Sequence, residues 1–329
     1  MSTRSKLRDK IFKVNTQSFS TVVHEVFKYQ YENNESYHQY CSLLNADPSK
    51  VYGIEQVPFL PIEIFKTHRV ICKELHVEKI FASSGTTSSQ TSRHLVADLK
   101  LYEESFLRCF HKYFGDSSNY CILALLPSYL ERSDSSLAYM AGKLIEKSRH
   151  PRSGSYLKNH EELHSVLLEL EGQQQRTLLL GVTFALLDFT EKFPIELNHT
   201  IVMETGGMKG RRKEQTRQAI HEILKKQLSV NTVHSEYGMT ELLSQAYYLE
   251  DGRFHCPPWM RVLIRDVNDP LQILGLNMTG AINVIDLANL DSCSFIATGD
   301  LGRSFSKNTF DVLGRMDETD IRGCNMMWE

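Results

Sequence analysis

An α/β fold is what this sequence predicts, with a layered core of largely parallel strands followed by an antiparallel β subdomain. Two observations carry the prediction. Between residues 120 and 228, the apolar runs Tyr120–Leu126, Arg176–Val182 and Thr200–Glu204 alternate with helical spacing near 135–148, 159–171 and 211–228. Such alternation is the pattern of strands joined by helical crossovers. After Tyr237 the texture changes. The short strands Met260–Arg265, Ala281–Asp286, Ser294–Ala297 and Phe310–Leu313 are separated by turns with no long helix between them, as in antiparallel sheets.

Taken in order, residues 17 to 45 space their apolar groups as helices do, with Val22, Val23, Val26 and Phe27 on one side. Pro58 and Pro61 mark an extended connector. The short run Lys79-Ile-Phe-Ala82 reads as a strand entering a loop. A helix follows in which Tyr102, Phe106, Phe110 and Tyr113 form one face, an aromatic stripe that belongs to the core. The expected organisation is an N-terminal helical region over residues 1–52 and a main domain over 53–313, with its β subdomain from about 240. A hinge and tail occupy 314–329. There is no internal repeat and no low-complexity segment.

Composition sets the class. With 329 residues, 41% hydrophobic and 23% charged, the chain can bury a substantial core. A net charge of −3 gives no electrostatic reason to expect nucleic acid or an anionic membrane as partner. The basic run Lys209-Gly-Arg-Arg-Lys213 is a solvated helix approach or a phosphate-facing segment. The first ten residues lack the apolar core of a signal peptide. The longest nearly apolar stretch, Leu178 to Leu187, is too short to span a bilayer. Seven scattered cysteines form no Cys-x-x-Cys pair and no zinc spacing, which points to reduced thiols and a cytoplasmic protein. The adjacent His255-Cys256 reads as structural.

Three segments carry chemistry. Phe81-Ala-Ser-Ser-Gly-Thr-Thr-Ser-Ser89 is a hydroxyl- and glycine-rich loop, able to present N–H and O–H donors to a polyphosphate. It is not a Walker-type loop, because no Gly-Lys-Ser/Thr follows. Glu236-Tyr-Gly-Met-Thr-Glu241 sets a ring, a glycine, a hydroxyl and a carboxylate within a few positions. That set suits base stacking, phosphate contact and Mg²⁺. Thr298-Gly-Asp-Leu-Gly-Arg303 places a carboxylate just after an apolar strand, where it can accept ribose hydroxyls. Alone, the three read equally well as a solvated loop, a helix start and a hairpin turn. Together, in this order, they read as an ATP site that makes acyl-adenylates.

In order and spacing these segments resemble the adenylate-forming superfamily, which includes acyl- and aryl-CoA ligases such as phenylacetate-CoA ligase. A narrower resemblance is to the acyl-protein synthetases of the bacterial fatty-acid reductase (bioluminescence) system. It rests on Glu204-Thr-Gly-Gly-Met-Lys-Gly-Arg211, on the run from Tyr237 to Tyr247, and on Leu313-Gly-Arg-Met-Asp317 leading into Asp320-Ile-Arg-Gly-Cys-Asn325. The resemblance covers roughly residues 55 to 329 and implies the large domain of an adenylate-forming enzyme. Two departures stand out. The basic residue usual at the end of the phosphate loop is matched only by Arg93. The sequence also ends twelve residues after Asp317, so the small C-terminal domain and its catalytic lysine are expected to be absent.

The resemblance implies a role for each matching residue. Ser83, Ser84, Gly85, Thr86 and Thr87 would hold the β- and γ-phosphates of ATP. Gly206 and Gly207 would let adenine pack against bare backbone, with Tyr237 on its other face. Thr240 would touch the α-phosphate and Glu241 would hold Mg²⁺. Asp300 would accept the ribose hydroxyls with Arg315 nearby. Cys324 would take the acyl group as a thioester and pass it to an acyl reductase. Its neighbour Arg322 favours the thiolate; the alternative is an apolar filler in a terminal strand. The expected function is therefore ATP-dependent activation of a fatty or other carboxylic acid, then transfer to a protein cysteine. The alternatives are an acyl- or aryl-CoA ligase, in which CoA or a carrier protein accepts the acyl group, and a non-catalytic nucleotide-binding subunit of an acyl reductase complex. A homo-oligomer is compatible with either.

Overall fold

The computed structural model describes residues 2–83, 90–127, 132–157, 159–206 and 215–316. The chain opens with three helices, α1 (Thr3–Ile11), α2 (Phe19–Asn33) and α3 (Glu35–Leu43). As the spacing predicts, α2 buries Val22, Val23, Val26 and Phe27. Asn34 starts α3 by accepting the Tyr37 N–H, the usual way an orphan helix donor is satisfied. The proline-flanked connector contributes β1 (Leu60–Pro61), then α4 (Ile64–Thr67). Next come β2 (Lys79–Ala82) and β3 (Arg93–Val96), which pair only with each other as an antiparallel ribbon.

The helix α5 (Leu99–Phe114) is capped by Asp98 and ends at Gly115, whose φ of 86° suits a residue without Cβ. Tyr102, Phe106 and Phe110 are buried along it, while half-buried Tyr113 donates to the Cys256 carbonyl. Then β4 (Cys121–Leu125), α6 (Ser136–Ser148), β5 (Gly154–Ser155), α7 (His160–Gly172), β6 (Thr177–Val182), α8 (Thr183–Lys192), β7 (Thr200–Thr205), α9 (Arg217–Leu228) and β8 (Val233–Tyr237) complete the alternating half. Its strands pair parallel in the order β5-β4-β6-β7-β8. The apolar runs of β4 and β6 are buried along their whole length, as expected of strands covered on both faces.

The second half holds β9 (Ala246–Tyr248), β10 (Phe254–His255), β11 (Met260–Arg265), β12 (Thr279–Asp286), β13 (Phe295–Ser304) and β14 (Thr309–Arg315). These strands are antiparallel, but they are not a separate layer. β9 pairs antiparallel with β8, so hydrogen bonding runs without a break in the order β11-β12-β13-β14-β10-β9-β8-β7-β6-β4-β5. The N-terminal helices are bound to this half. Gln30 donates to the Asn289 and Leu290 carbonyls and accepts the Ser294 N–H. Asn34 donates to Ser292, and Arg4 grips Asp291 with two bonds of 2.6 Å. β1 adds a short parallel pairing with β13.

Three features depart from the sequence reading. The strand expected over Arg176–Val182 ends at Val182 as β6, but the helix α8 that starts directly at Thr183 was not expected. Gly181 permits the tight reversal, since a Cβ there would lie 2.6 Å from the Leu186 side chain. β8, whose Val-His-Ser-Glu-Tyr sequence is half polar, is a full parallel strand. Asp300 does not follow a strand. It lies inside β13, because β14 takes up pairing from Asp300 to Ser304, with a register shift at Leu301/Gly302.

Candidate active site

The turn between β8 and β9 carries Thr240 and Glu241, and three buried polar residues hold it. Asp286, at the end of β12, accepts the Leu243 and Ser244 N–H groups on one oxygen, at 2.8 and 2.9 Å. Its other oxygen takes the Ser244 hydroxyl and the Ala288 N–H. Burial pushes the Asp286 carboxyl up, and these donors oppose that shift. Asn289 donates to the Glu241 and Cys293 carbonyls. Nδ1 of His94, on β3, lies 2.8 Å from the Thr240 carbonyl, and Nε2 lies 3.0 Å from Asn289 Oδ1. Burial pushes His94 down to about 4, and its bonds to the Thr240 carbonyl and to Asn289 oppose that shift. The β2–β3 ribbon is thereby joined to the Thr240–Glu241 turn.

Glu241 is buried and its carboxyl is pushed up by that burial; hydrogen bonds from Ser92 and from its own backbone N–H, with the charge of Arg315, pull it back, and Asp300 pushes it further up. Burial outweighs these partners, so the carboxylate is only partly compensated. A bound cation would supply the rest. Among the described residues, no group of three or more His, Cys, Asp or Glu side chains converges to hold a metal. A single carboxylate can hold Mg²⁺ where phosphate and water oxygens supply the remaining ligands.

Ser83, directly after β2, is bonded to Ser92, directly before β3. Its N–H donates to the Ser92 carbonyl, and its hydroxyl accepts the Ser92 N–H at 3.0 Å. Ser84, Gly85, Thr86 and Thr87 lie outside the described residues, as do Gly207 and Cys324. Arg93, the basic residue matched to the loop's end, opens β3 and is exposed. The guanidinium actually bonded to the loop's base is that of Arg132. It donates to the Ala82 and Ser83 carbonyls and is paired with Asp134 at 2.9 Å.

Asp300 and Arg315 come together as the sequence reading groups them, and Tyr237, which that reading sets against adenine, joins them. The Tyr237 hydroxyl donates to Asp300 Oδ2 at 2.9 Å, and Arg315 Nε lies 3.4 Å from Oδ1. Burial pushes Asp300 up, and Arg315 and the Tyr237 hydroxyl draw it down. The Tyr237 ring packs edge-on against Phe254 and Phe310. A carboxylate has about four lone-pair positions, so Asp300 retains acceptor capacity beyond these partners.

At the carboxyl ends of β6, β7 and β8 sits a polar cluster that the sequence reading left unassigned. The Thr183 hydroxyl donates to Glu204 at 2.7 Å and reaches the Gly206 carbonyl at 3.3 Å. Gly206 ends β7 with φ 70°. The Thr205 hydroxyl donates to Glu236. The carboxyl ends of parallel strands are where open α/β sheets place ligands. Burial, with Glu204 adding to it, pushes Glu236 up to about 7, against the Thr205 hydrogen bond. A raised folded-state value means that the stabilisation is full in acid and is lost as pH rises from 4.5 through about 7. Glu236→Gln is therefore expected to raise stability at pH 8 by roughly 1–3 kcal/mol and to change it little near pH 4.5. Denaturant unfolding at the two pH values measures this, and equal effects at both would contradict it.

These geometries can now be set beside known proteins. Residues 9–127 match the family described as "Acyl-protein synthetase, LuxE". The long-chain-fatty-acid–luciferin-component ligase of Aliivibrio fischeri is 22% identical across 97% of this chain and 92% of its own. The chain is thus similar to the acyl-protein synthetases, by family model over its N-terminal third and by overall likeness to one such ligase. Among solved structures, 2-hydroxyisobutyryl-CoA ligase with its acyl-AMP and CoA is similar over 94% of this chain and 78% of its own, with a TM-score of 0.66 and 11% identity. ATP-bound MatB from Rhodopseudomonas palustris is similar over 73% of this chain, with a TM-score of 0.55 and 16% identity. The chain spans about half the length of MatB, 48%, and these likenesses establish an adenylate-forming-ligase fold. No helix among the described residues is long and apolar enough to cross a membrane.

The sequence reading missed His94, Asn289, Asp286, Arg132 and Glu236 as parts of this site. Glu236 stands next to Tyr237 in the motif, so its position was a usable signal. The others are single polar residues whose partners lie far away in the chain.

Proposed function

We propose that this protein is an AMP-forming acyl-protein synthetase that activates a fatty or other carboxylic acid with ATP and passes the acyl group to Cys324. The observation that carries the reading is the convergence of the Thr240–Glu241 turn, the Ser83/Ser92 loop base and Asp300 with Arg315, in a chain similar to the acyl-protein synthetases. In the first step a carboxylate oxygen attacks the α-phosphorus and pyrophosphate leaves. Ser83 to Thr87 cradle the leaving phosphates and Thr240 meets the α-phosphate. Asp300 orients the ribose, and Gly206 and Gly207 flank the adenine. Mg²⁺ held at Glu241 would neutralise phosphate charge when bound. In the second step a thiolate attacks the acyl carbon and AMP leaves. The reaction asks for alignment and charge compensation more than for covalent chemistry by the protein.

A second observation favours Cys324 as acceptor. Cys41, Cys72, Cys109, Cys121, Cys256 and Cys293 are all buried. Burial pushes every one of these thiols up, Cys121 to about 11 and Cys41 and Cys72 to about 12. Such groups are neither accessible nor ionised near neutrality.

The test is incubation with labelled fatty acids and ATP, followed by a search for hydroxylamine-labile label on the protein. Cys324→Ser is expected to keep carboxylate-dependent ATP–pyrophosphate exchange and to lose the label. Undiminished label in that variant would move the acceptor elsewhere. No label on the wild type, with turnover restored by CoA or a carrier-protein thiol, would favour the CoA-ligase alternative. An acyl reductase is the expected downstream partner, since a protein-bound thioester is an activated electrophile for reduction.

A further inference from the structure

A cavity of about 200 Å³ lies between the N-terminal helical region and the antiparallel strands, and none of the predicted site residues lines it. Its wall is mostly apolar, formed by residues such as Leu44, Phe59, Ile273 and Ala281. The mouth is marked by Leu271, 57% exposed, and Val267, 41% exposed. Large apolar groups exposed at the entrance of an apolar cavity are a common sign of a ligand route.

The interior end is polar. Arg265 is buried there, its guanidinium donating to the Ile282 and Thr298 carbonyls and to Asn283 Oδ1. Asn283 is 1% exposed and lines the cavity, yet its Nδ2 has no partner. A buried amide donor left unpaired costs about 1–3 kcal/mol, a cost that an acceptor in the cavity would remove. Arg265 adds positive charge at the same end, while exposed Glu55 and half-buried Glu63 are the carboxylates in the lining. An anionic head is thus favoured at the Arg265–Asn283 end. Thr298 borders the cavity and also accepts the Asp300 N–H at 3.1 Å, which sets this polar end beside the candidate ribose carboxylate.

We propose that this cavity binds an amphipathic carboxylic acid, its carboxylate on Asn283 and Arg265 and its apolar chain running past Leu271 to the mouth. That the acid is the enzyme's own substrate rests on the function proposed above; the binding itself does not.

The experiment is equilibrium binding of saturated fatty acids of graded length to the full chain without ATP. Wild-type affinity is expected to rise roughly threefold per added methylene until the chain leaves the cavity. Asn283→Asp keeps an acceptor for Arg265 but sets a carboxylate against the ligand's head, and should weaken binding tenfold or more. Leu271→Asp alters only the rim, and should flatten the dependence on chain length. Thermal unfolding checks that each variant is folded; if Asn283→Asp is not, the rim variant decides. Binding within twofold of wild type in the folded variants, or no binding by the wild type, overturns the proposal. Binding that behaves as expected in a protein lacking ATP–pyrophosphate exchange would instead retain the cavity and remove the proposed activity.

Discussion

Glu241→Gln is expected to lower carboxylate-dependent ATP–pyrophosphate exchange by roughly a hundredfold or more, with the fold intact. The carboxylate is buried, with hydrogen bonds from Ser92 and its own backbone N–H and the charge of Arg315 as partial compensation. An amide is a much poorer Mg²⁺ ligand than a carboxylate. It is also easier to bury, because it carries no charge, so the variant should be at least as stable as the wild type. That pairing separates a functional loss from a structural one. Exchange at the wild-type rate, or a large fall in the unfolding midpoint, would remove Glu241 from the metal role.

Asp286→Ala is expected to be the most destabilising single change near the site. It strips acceptors from the N–H groups of Leu243, Ser244 and Ala288 and from the Ser244 hydroxyl, all buried. Hydrogen bonds to a charged acceptor are worth roughly 1.5–3 kcal/mol each, and buried donors left unpaired add their own cost. Partial relaxation limits the sum, so a loss of about 3–5 kcal/mol is expected. Denaturant unfolding measures it. Asp286→Asn retains one good acceptor and should fall between the two. A loss below about 1 kcal/mol in the alanine variant would mean that the turn holding Thr240 and Glu241 does not depend on this clamp.

The contrast between these residues shows what the sequence makes legible. Apolar runs such as Cys-Ile-Leu-Ala-Leu in β4 announce buried parallel strands, because few alternatives can hide so many side chains. Tyr237, Asp300 and Arg315 were found through motif order, and the fold brings them together. β8 was missed because His234 and Glu236 break its apolar pattern, although both its edges are paired. Asp300 reads as following a strand because the apolar run ends at Ala297, whereas pairing with β14 carries the strand onward. His94, Asn289 and Asp286 left no local trace. The Thr240 carbonyl lies 146 residues from His94 in sequence, and Asn289 lies 195 from the same ring. Contacts at that range are set by tertiary folding, which no window of spacing records.

The anchoring of the N-terminal helices has a consequence for how the chain is made. Gln30 and Asn34 find their partners 258 to 264 positions later, around Ser292 and Ser294. At about 5–20 residues per second, a ribosome takes roughly ten seconds to a minute to supply them. For that interval the apolar side of α2, from Phe19 to Phe27, has no native cover from this late segment. Its neighbours α1 and α3 can shield only part of it. The earliest-made portion of the molecule is thus among the last to reach its final packing, and a nascent chain of this protein is a natural client for holding chaperones until the strand at Phe295 emerges.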